Sequence, residues 1–428
     1  MRILYSVVLT LVGPFAFAWL AVRSRRQTGA PDAWRERLGR LPATFERAPV
    51  WIHAASLGEA QAAQSLIDTL FARDPDQPLL ITTFSATARR HCRERFGDRA
   101  RVVALPYDLP LFVNRFLRSA RPRLAIFVET EIWPNLYRAL ARRRVPIVIV
   151  SARLSPHAFE RYRRFRGLIA YCLRQAAQIA AQTQADADRF IALGAPAARV
   201  SVIGNLKFDT PPPPDSAVRG ATLRRTLFGE RPVWVAGSTR DGEEEILLSA
   251  FKRVRERVPD CVLVLVPRHP ERASAVAALA EAADLDAAMR SQSGDRPCEA
   301  PVLIVDAIGE LMEFYAAADV VFVGGTLTDI GGHNILEPAA LGRPIVTGPS
   351  LDNWRFLADE MTTTGALTPV ADLAELAETV SRLLTDDGAR ETAGAAAQAG
   401  VEKNRGALQR ALRLIDTQGA GRDQPHSG

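Results

Sequence analysis

The chain has 428 residues, which is too long for one ordinary domain and suggests two or three. Hydrophobic residues make up 47% and charged residues 24%, which excludes a disordered chain, and 28 glycines and 28 prolines without a fixed repeat exclude collagen-like and low-complexity sequences. The formal net charge of +6 is mild, and because the basic stretches lack interleaved aromatic residues, a nucleic-acid-binding protein is disfavoured.

The cysteines show no pattern typical of a disulfide framework or of a zinc site. Cys92, Cys172, Cys261 and Cys298 form no CxxC pair, and no histidine cluster lies near them. This usage predicts a protein of a reducing compartment, and it gives no support to a zinc site.

An apolar segment begins the chain. Residues 3–22 are uncharged, and a helix of this length would cross the ~30 Å hydrocarbon layer of a bilayer. Three arginines follow directly at 23–26, whereas one precedes the segment, which predicts that residues 1–26 are a single-pass membrane anchor with the remaining chain on the cytoplasmic side. A cleaved signal peptide, suggested by the small residues at 16–18, and a buried N-terminal helix are the alternatives.

From residue 50 onward, short β-branched runs alternate with longer amphipathic stretches. This alternation, with nearly continuous apolar strands, is typical of a parallel sheet covered by helices on both faces. In the first lobe, residues 27–209, strands are predicted at 50–54, 79–83, 101–104, 123–128, 145–150, 177–181 and 199–203. Helices are predicted at 59–73, 86–96, 109–119, 132–143, 157–175 and 184–193.

Four consecutive prolines at 211–214 then interrupt the alternation and predict a stiff linker over 210–230. The pattern resumes with strands predicted at 232–236, 261–266, 301–305, 319–323 and 344–347. The second lobe is therefore predicted over 231–418, including Ala-rich terminal helices, and residues 419–428 are predicted to be a disordered tail. The fold class is α/β, with two Rossmann-like lobes and a cleft between them.

The candidate site residues of the first lobe follow its strands, because ligands of parallel sheets bind beyond the carboxyl ends of the strands. Glu59 follows the first strand at the start of a helix, where it could act as a general base or only cap the helix. Glu129 and Glu131 follow the fourth strand, and helix capping explains Glu131 more easily than Glu129. Lys207 is one of three lysines among 54 basic residues and offers a compact charge at the lobe junction.

In the second lobe, a glycine-rich segment suits a phosphate group. Glycines at 324–325 follow a strand and those at 331–332 precede a helix, so backbone N–H groups and the helix dipole could attract a phosphate. Glu337, one turn into that helix, could accept hydrogen bonds from ribose hydroxyls. Arg240 and Arg268 follow two further strands and could add positive charge. Such loops are also common turns without a ligand.

Taken together, these motifs resemble those of the 3-deoxy-D-manno-octulosonic acid (Kdo) transferases. The resemblance rests on SLGEA at 56–60, PYDLP at 106–110, ETEIWPN at 129–135, SARLS at 151–155, NLKFD at 205–209, PRHPER at 267–272, GELM at 309–312, FVGGTL at 322–327 and GGHNILEPAALG at 331–342. It implies an inverting glycosyltransferase of the two-lobed GT-B type. Such an enzyme moves Kdo from CMP-Kdo to a lipid A precursor, lipid IVA, at the cytoplasmic face of the bacterial inner membrane.

The resemblance also implies roles for single residues. Glu59 would take the proton from the acceptor hydroxyl, and Glu129 and Lys207 would help to stabilise the transition state. The CMP site would draw on Arg268, His269, Ile308, Gly309, Glu310, Asn334, Ile335, Leu336 and Glu337. Two residues depart from the family pattern, because Arg240 stands where a histidine is usual and Ile335 where a proline is frequent. No bound metal or other cofactor is expected.

Two other functions stay open at this point. A GT-B transferase that uses a UDP- or GDP-sugar and another lipid or sugar acceptor would show the same residues at its strand ends. A non-catalytic, membrane-bound scaffold that binds nucleotide sugars is the second alternative. The basic residues at 142–144 and 161–174 could contact anionic lipid or form solvated helix faces.

Overall fold

The computed structural model describes residues 5–11, 13, 33–213, 215–294 and 296–419. The chain divides into two compact units, one formed by Met1–Thr210 with Arg405–Gly428 and the other by Pro211–Asn404. Each unit contains a seven-stranded sheet in which all neighbouring strands pair in parallel. The α/β class and the two lobes predicted from the sequence are therefore confirmed.

The first sheet contains all seven predicted strands. They are β1 (Val50–His53), β2 (Leu79–Thr83), β3 (Ala100–Ala104), β4 (Leu124–Val128), β5 (Ile147–Ala152), β6 (Gln178–Ala181) and β7 (Val200–Val202). The order β3-β2-β1-β4-β5-β6-β7 places β1 and β4 side by side near the middle, with Val50 opposite Leu124. The carboxyl ends of β1 and β4 therefore lie next to each other, and so do the residues that follow them.

Both faces of the first sheet are buried, which is why its strands are apolar at successive positions. Ile52 and Ile126 belong to the core on one face, and their chain neighbours Trp51 and Phe127 belong to the core on the other. The helices that cover the sheet are Trp34–Arg37, Leu57–Ala62, Gln64–Arg73, Ala86–Phe96, Pro110–Ala120, Pro134–Arg142, Pro156–Arg163, Arg166–Leu173 and Gln184–Ala192. Two predicted helices, 59–73 and 157–175, are each divided in two.

The second sheet contains the five predicted strands and two more. They are β8 (Val233–Thr239), β9 (Val262–Pro267), β10 (Ala287–Met289), β11 (Val302–Ile304), β12 (Val320–Val323), β13 (Ile345–Thr347) and β14 (Leu367–Pro369), in the order β10-β11-β9-β8-β12-β13-β14. The two strands that were not predicted, β10 and β14, are the edge strands. Each has three residues and no β-branched run, so backbone pairing and not side-chain pattern defines them.

The helices of the second unit correct the predicted linker. They are Ser216–Leu223, Glu243–Arg257, Ala273–Ala282, Arg290–Ser293, Leu311–Ala317, Leu336–Ala340, Arg355–Thr363, Leu373–Thr385 and Asp387–Asn404, and a π-helix covers Arg224–Phe228. Most of the predicted linker, 210–230, is therefore helical. Gly220 packs so closely on Ala316 that an added Cβ would lie 2.4 Å from the alanine Cβ, and Arg224 pairs with Asp319 at 2.8 Å. These contacts make the segment part of the second unit.

The last helix, Ala407–Gly419, also differs from the prediction, because it packs on the first unit. Its apolar residues Ala411, Leu412 and Ile415 join the core that contains Ile52. Asp209 accepts hydrogen bonds from the N–H groups of Gly406 (2.7 Å) and Leu408 (2.9 Å) and so caps this helix. The assignment of all terminal helices to the second lobe was therefore wrong. Short 3₁₀ helices cover Ala197–Arg199, Leu206–Asp209 and Pro270–Arg272.

In the described part of the chain, no helix has the length and apolar character needed to cross a bilayer. Most of the predicted anchor, residues 1–26, lies outside the described residues, as do residues 420–428 of the predicted tail. Residues 5–11 are helical, and the Tyr5 hydroxyl donates to Asp108 Oδ2 (3.1 Å). The four cysteines are buried free thiols.

Candidate active site

Glu59 lies one turn beyond β1 and forms a capping box at the start of helix Leu57–Ala62. Its Oε2 accepts from the N–H of Ala55 (2.7 Å), and its Oε1 accepts from the Ser56 hydroxyl (2.9 Å). Its own N–H donates to Ser56 Oγ (3.3 Å). The structure therefore shows the capping role that the sequence left open. Capping does not prevent a second role, because each carboxylate oxygen keeps a lone pair for another proton.

The surroundings of Glu59 favour the neutral carboxyl group. Burial raises the pKa of Glu59, the negative charge of Glu129 raises it further, and Glu131 contributes in the same direction. The hydrogen bonds from Ala55 and Ser56 lower the pKa and act against these effects. A carboxylate whose pKa is raised toward the operating pH is a better general base, so the arrangement suits proton abstraction.

Glu129 directly follows β4 and has an unusual backbone conformation. Its φ angle is 60°, in the left-handed region, and such a conformation costs about 1–3 kcal/mol for a non-glycine residue. Its N–H donates to Val150 O in the neighbouring strand (2.9 Å). Its Oε1 lies 3.5 Å from Lys207 Nζ. Residues held in this way are concentrated at functional sites, which supports the interpretation of Glu129 as a site residue.

Lys207 reaches this edge of the sheet from the 3₁₀ helix Leu206–Asp209. The Asn205 side chain caps that helix by accepting from the Lys207 N–H (3.0 Å), and Asp209 at its other end is bound to the terminal helix. The structure therefore brings Glu129 and Lys207 together, and the charge of Glu129 also acts on Glu59. All three residues predicted for the first unit belong to one cluster.

Glu131 is a further member of this cluster, although the sequence favoured a capping role for it. Its Oε2 accepts from the Trp133 indole N–H (2.9 Å) and lies 3.7 Å from Nε2 of the buried His53. Its carbonyl oxygen accepts from the Tyr137 hydroxyl (2.9 Å). This arrangement could not be distinguished from a helix cap in the sequence, because an acid just before a helix is most often a cap.

In the second unit, a cluster of cations and imidazoles follows β8, β9 and β12. Arg240 donates from Nε to His333 Nε2 and from Nη1 to His269 Nε2, both at 3.1 Å. Because arginine only donates, Nε2 of each histidine is the acceptor. Burial lowers the pKa of His333 to about 4, and the charges of Arg240 and Arg268 act in the same direction. Positive charge is thus concentrated where an anionic ligand would bind.

The glycine-rich segment is held by Glu243, which the sequence analysis did not identify. The carboxylate of Glu243 is fully buried and accepts hydrogen bonds from the N–H groups of Gly325 (2.7 Å), Thr326 (3.0 Å), Leu327 (2.9 Å) and Arg240 (2.9 Å). An acid at the first position of a helix resembles a cap in the sequence, so its long-range partners could not be foreseen.

Glu337 and its neighbours occupy the short helix Leu336–Ala340. Burial raises the pKa of Glu337, whereas a hydrogen bond with the Asn334 side chain and the charge of Arg268 lower it. The helix has five residues, so its dipole is weak and the arginines supply more of the attraction for an anion. The side chains of Ile335 and Leu336 lie in the core, so these two residues can offer a ligand only main-chain groups.

The other predicted contacts, Ile308, Gly309 and Glu310, follow β11, which is the neighbour of β9. Ile308 is 89% exposed, and Gly309 has a φ of 100° that favours glycine. Glu310 accepts from Arg290 Nε at 3.0 Å. The edge of the second sheet thus carries these residues together with Arg268, and their contact with a nucleotide stays a prediction.

Both units of this chain are similar to known glycosyltransferases. Residues 32–210 match a family model of 3-deoxy-D-manno-octulosonic-acid transferases, and residues 233–386 match one of group 1 glycosyl transferases. A 3-deoxy-D-manno-octulosonic acid transferase of Haemophilus influenzae is 35% identical over 97% of this chain and 98% of its own length. One of Bordetella pertussis is 34% identical over 97% of this chain and 99% of its own.

Among solved structures, the fold of this chain is similar to that of UDP-N-acetylglucosamine 2-epimerases. The UDP-GlcNAc 2-epimerase from Neisseria meningitidis, bound to UDP-GlcNAc, covers 86% of this chain and 100% of its own at a TM-score of 0.57. At 14% identity this likeness concerns the fold alone. The two parallel-sheet units are therefore GT-B-like.

Proposed function

We propose that this chain, which belongs to the 3-deoxy-D-manno-octulosonic acid transferase family and is a Kdo-transferring glycosyltransferase, moves Kdo from CMP-Kdo to a hydroxyl of a lipid A precursor such as lipid IVA. The observation that supports the reaction most directly is the cluster of Glu59, Glu129 and Lys207 at the edge of the first sheet. The first unit would accordingly bind and activate the acceptor.

In this proposal Glu59 is the general base. The acceptor hydroxyl attacks the anomeric carbon of Kdo, its proton passes to Glu59, and CMP leaves with the electron pair of the broken bond. Such an attack from the opposite face inverts the configuration. Glu129 and Lys207 form an ion pair with side chains about one quarter exposed, so both charges remain accessible to the reacting groups and can stabilise the transition state.

The second unit would bind the donor. Arg240 and Arg268 would neutralise the phosphate of CMP, and the glycine-rich segment, which Glu243 holds in place, would lie beside it. Glu337 would accept hydrogen bonds from the ribose hydroxyls. Arg240, which stands where the family usually has histidine, would give this site a permanent charge in place of a titratable one.

We propose that transfer needs no metal ion. Among the residues that the structure describes, no group of three or more His, Cys, Asp or Glu side chains could hold one. The arginines would neutralise the leaving phosphate instead. Transfer by the purified enzyme should therefore persist in excess EDTA, and a loss that Mg²⁺ restores would contradict this part of the proposal.

We also propose that residues 1–26 attach the protein to the cytoplasmic face of the inner membrane. The apolar run at 3–22 and the arginines that follow it support this assignment. Because Tyr5 and Ser6 contact Asp108 and Asn135, attachment at the bilayer surface is the competing arrangement. Alkaline carbonate extraction distinguishes them, since it releases a surface-attached protein and leaves a membrane-spanning one in the pellet.

A panel of donors tests the proposed function. Purified full-length protein in detergent would be given CMP-Kdo, a UDP-sugar or a GDP-sugar together with the tetraacyl lipid A precursor, and release of the nucleotide would be measured. We expect CMP release that depends on the acceptor. Acceptor-dependent release of UDP or GDP would indicate another transferase, and binding of CMP-Kdo without turnover would indicate the non-catalytic scaffold.

A further inference from the structure

His53, the last residue of β1, occupies an unusual place beside the acidic cluster. Its side chain is fully buried, and its Nδ1 lies 2.9 Å from Thr82 Oγ1. Its Nε2 is buried without a hydrogen-bond partner and lies 3.7 Å from Glu131 Oε2. One ring nitrogen thus faces a hydroxyl of the neighbouring strand, and the other faces a carboxylate of the candidate site.

The position of the ring proton follows from the polarity of the neighbouring groups. The indole of Trp51 can only donate, and its Nε1–H lies 2.8 Å from Thr82 Oγ1. The Thr82 hydroxyl therefore accepts from Trp51, and its own proton is directed to His53 Nδ1. The Thr82 carbonyl oxygen also lies 3.1 Å from Nδ1, but it already accepts from the N–H of Ala54 (3.0 Å). The bond from the Thr82 hydroxyl to Nδ1 therefore favours the tautomer with its proton on Nε2.

His53 Nε2 faces Glu131 at 3.7 Å, which is longer than a hydrogen bond. Glu131 Oε2 already accepts from the Trp133 indole (2.9 Å), so the indole and the imidazole approach the same carboxylate oxygen. The Trp133 ring is itself fixed by stacking on Phe84, with the ring centroids 5.8 Å apart. These contacts define the position of the Glu131 carboxylate.

We propose that His53 is a positioning residue that acts through Glu131. The hydrogen bonds from Trp51 to Thr82 and from Thr82 to His53 fix the Nε2–H tautomer, and this tautomer presents its N–H group to Glu131 beside the proposed base Glu59. The inference rests on the proposed function. The charge of Glu131 is one of those that raise the pKa of Glu59, so its position bears on the strength of the base.

Two substitutions of His53 separate this role from packing. The amide nitrogen of glutamine can occupy the place of Nε2 and donate to Glu131, whereas the shorter asparagine places its amide near Nδ1. We expect His53→Asn to lower kcat at least about tenfold at unchanged KM, and His53→Gln to stay within about threefold of the wild type.

Equal activity of the two variants, whether both are impaired or both are normal, would overturn the proposal. If His53 only fills space, the position of the amide donor in the substituted side chain should not affect the rate. A different result would contradict the proposed function, namely a wild-type protein that transfers no Kdo. The variant comparison is therefore made on a preparation whose wild type is active.

The tautomer can be observed without reference to activity. In ¹⁵N-histidine-labelled full-length protein at neutral pH, His53 should show a protonated Nε2 and an unprotonated Nδ1. Thr82→Val removes the hydroxyl that donates to Nδ1, so the ring can donate from Nδ1 to the Thr82 carbonyl oxygen and the tautomer should change. Thr82→Ser keeps the hydroxyl and should keep the wild-type tautomer. A wild-type ring protonated on Nδ1 would overturn the proposal.

Discussion

Replacing Glu59 with glutamine removes the proposed base and preserves the size of its side chain. A positioned general base typically contributes about 10²–10⁴-fold to the rate, so kcat should fall by at least about 100-fold. The carboxylate accepts one hydrogen bond on each oxygen, from Ala55 N–H and from the Ser56 hydroxyl, and the amide nitrogen of glutamine cannot accept the second.

The structure also predicts a loss of stability in this variant. One lost hydrogen bond in a capping box contributes about 1 kcal/mol to the free energy of unfolding, which is a decrease of roughly 2–4 °C in Tm for a unit of this size. Because Glu59 both caps its helix and is the proposed base, lower stability and lower turnover should occur together.

Glu375 offers a matched control in the second unit. Its Oε2 accepts from the N–H of Ala371 (2.7 Å), and its own N–H donates to Asp372 Oδ1 (2.9 Å), which is the same kind of capping box at a helix without a proposed catalytic role. Only one oxygen of Glu375 accepts a hydrogen bond, and the amide oxygen of glutamine can take its place, so Glu375→Gln should leave both Tm and kcat near the wild-type values.

Turnover with saturating CMP-Kdo and acceptor, and thermal unfolding of the same preparations, provide the assay for both variants. A Glu59→Gln enzyme that loses stability and retains nearly normal turnover would show that Glu59 only caps its helix. That result would refute the assignment of Glu59 as the base.

Three further predictions concern charge in the two clusters. The base acts in its deprotonated form, so kcat/KM should fall as the pH drops through the raised pKa of Glu59. Because Glu129 contributes to that raised pKa, Glu129→Gln should move the fall to lower pH, which a pH–rate profile of the residual activity would show. Arg240→Met should raise the pKa of His333 from about 4 toward its ordinary value and weaken CMP binding, which ¹⁵N spectra and calorimetry would follow. Glu337→Ala should weaken CMP binding by about 1–3 kcal/mol, and an unchanged Kd would place the ribose elsewhere.

Much of the fold was predictable because burial on both faces leaves a strong pattern in the sequence. All twelve strands with apolar or β-branched runs were found, whereas the three-residue edge strands β10 and β14 carry no such pattern. The last helix, Ala407–Gly419, was assigned to the wrong unit. An amphipathic helix shows which of its faces is apolar, but the sequence does not show which core that face will join.

The site was predictable only where position along a strand sufficed. Glu59, Glu129 and Lys207 follow strands directly, so the general rule for parallel sheets located them. Glu243 was not identified and Glu131 was interpreted as a cap, because acids at helix starts are most often caps. The actual partners of Glu243, such as Gly325, lie far away in the sequence. These pairings depend on the order of strands in the sheet, which alternation alone does not determine.

The most direct test of the proposed function is the mass of the lipid product. Purified full-length wild-type protein would be incubated with CMP-Kdo and the tetraacyl lipid A precursor, alongside Glu59→Gln, and the lipids would be analysed by mass spectrometry. We expect the wild type to increase the mass of the acceptor by one or more Kdo residues and the variant to leave nearly all of it unmodified. An acceptor that the folded wild type leaves unchanged would contradict the account. An equal yield of product with Glu59→Gln would contradict it as well.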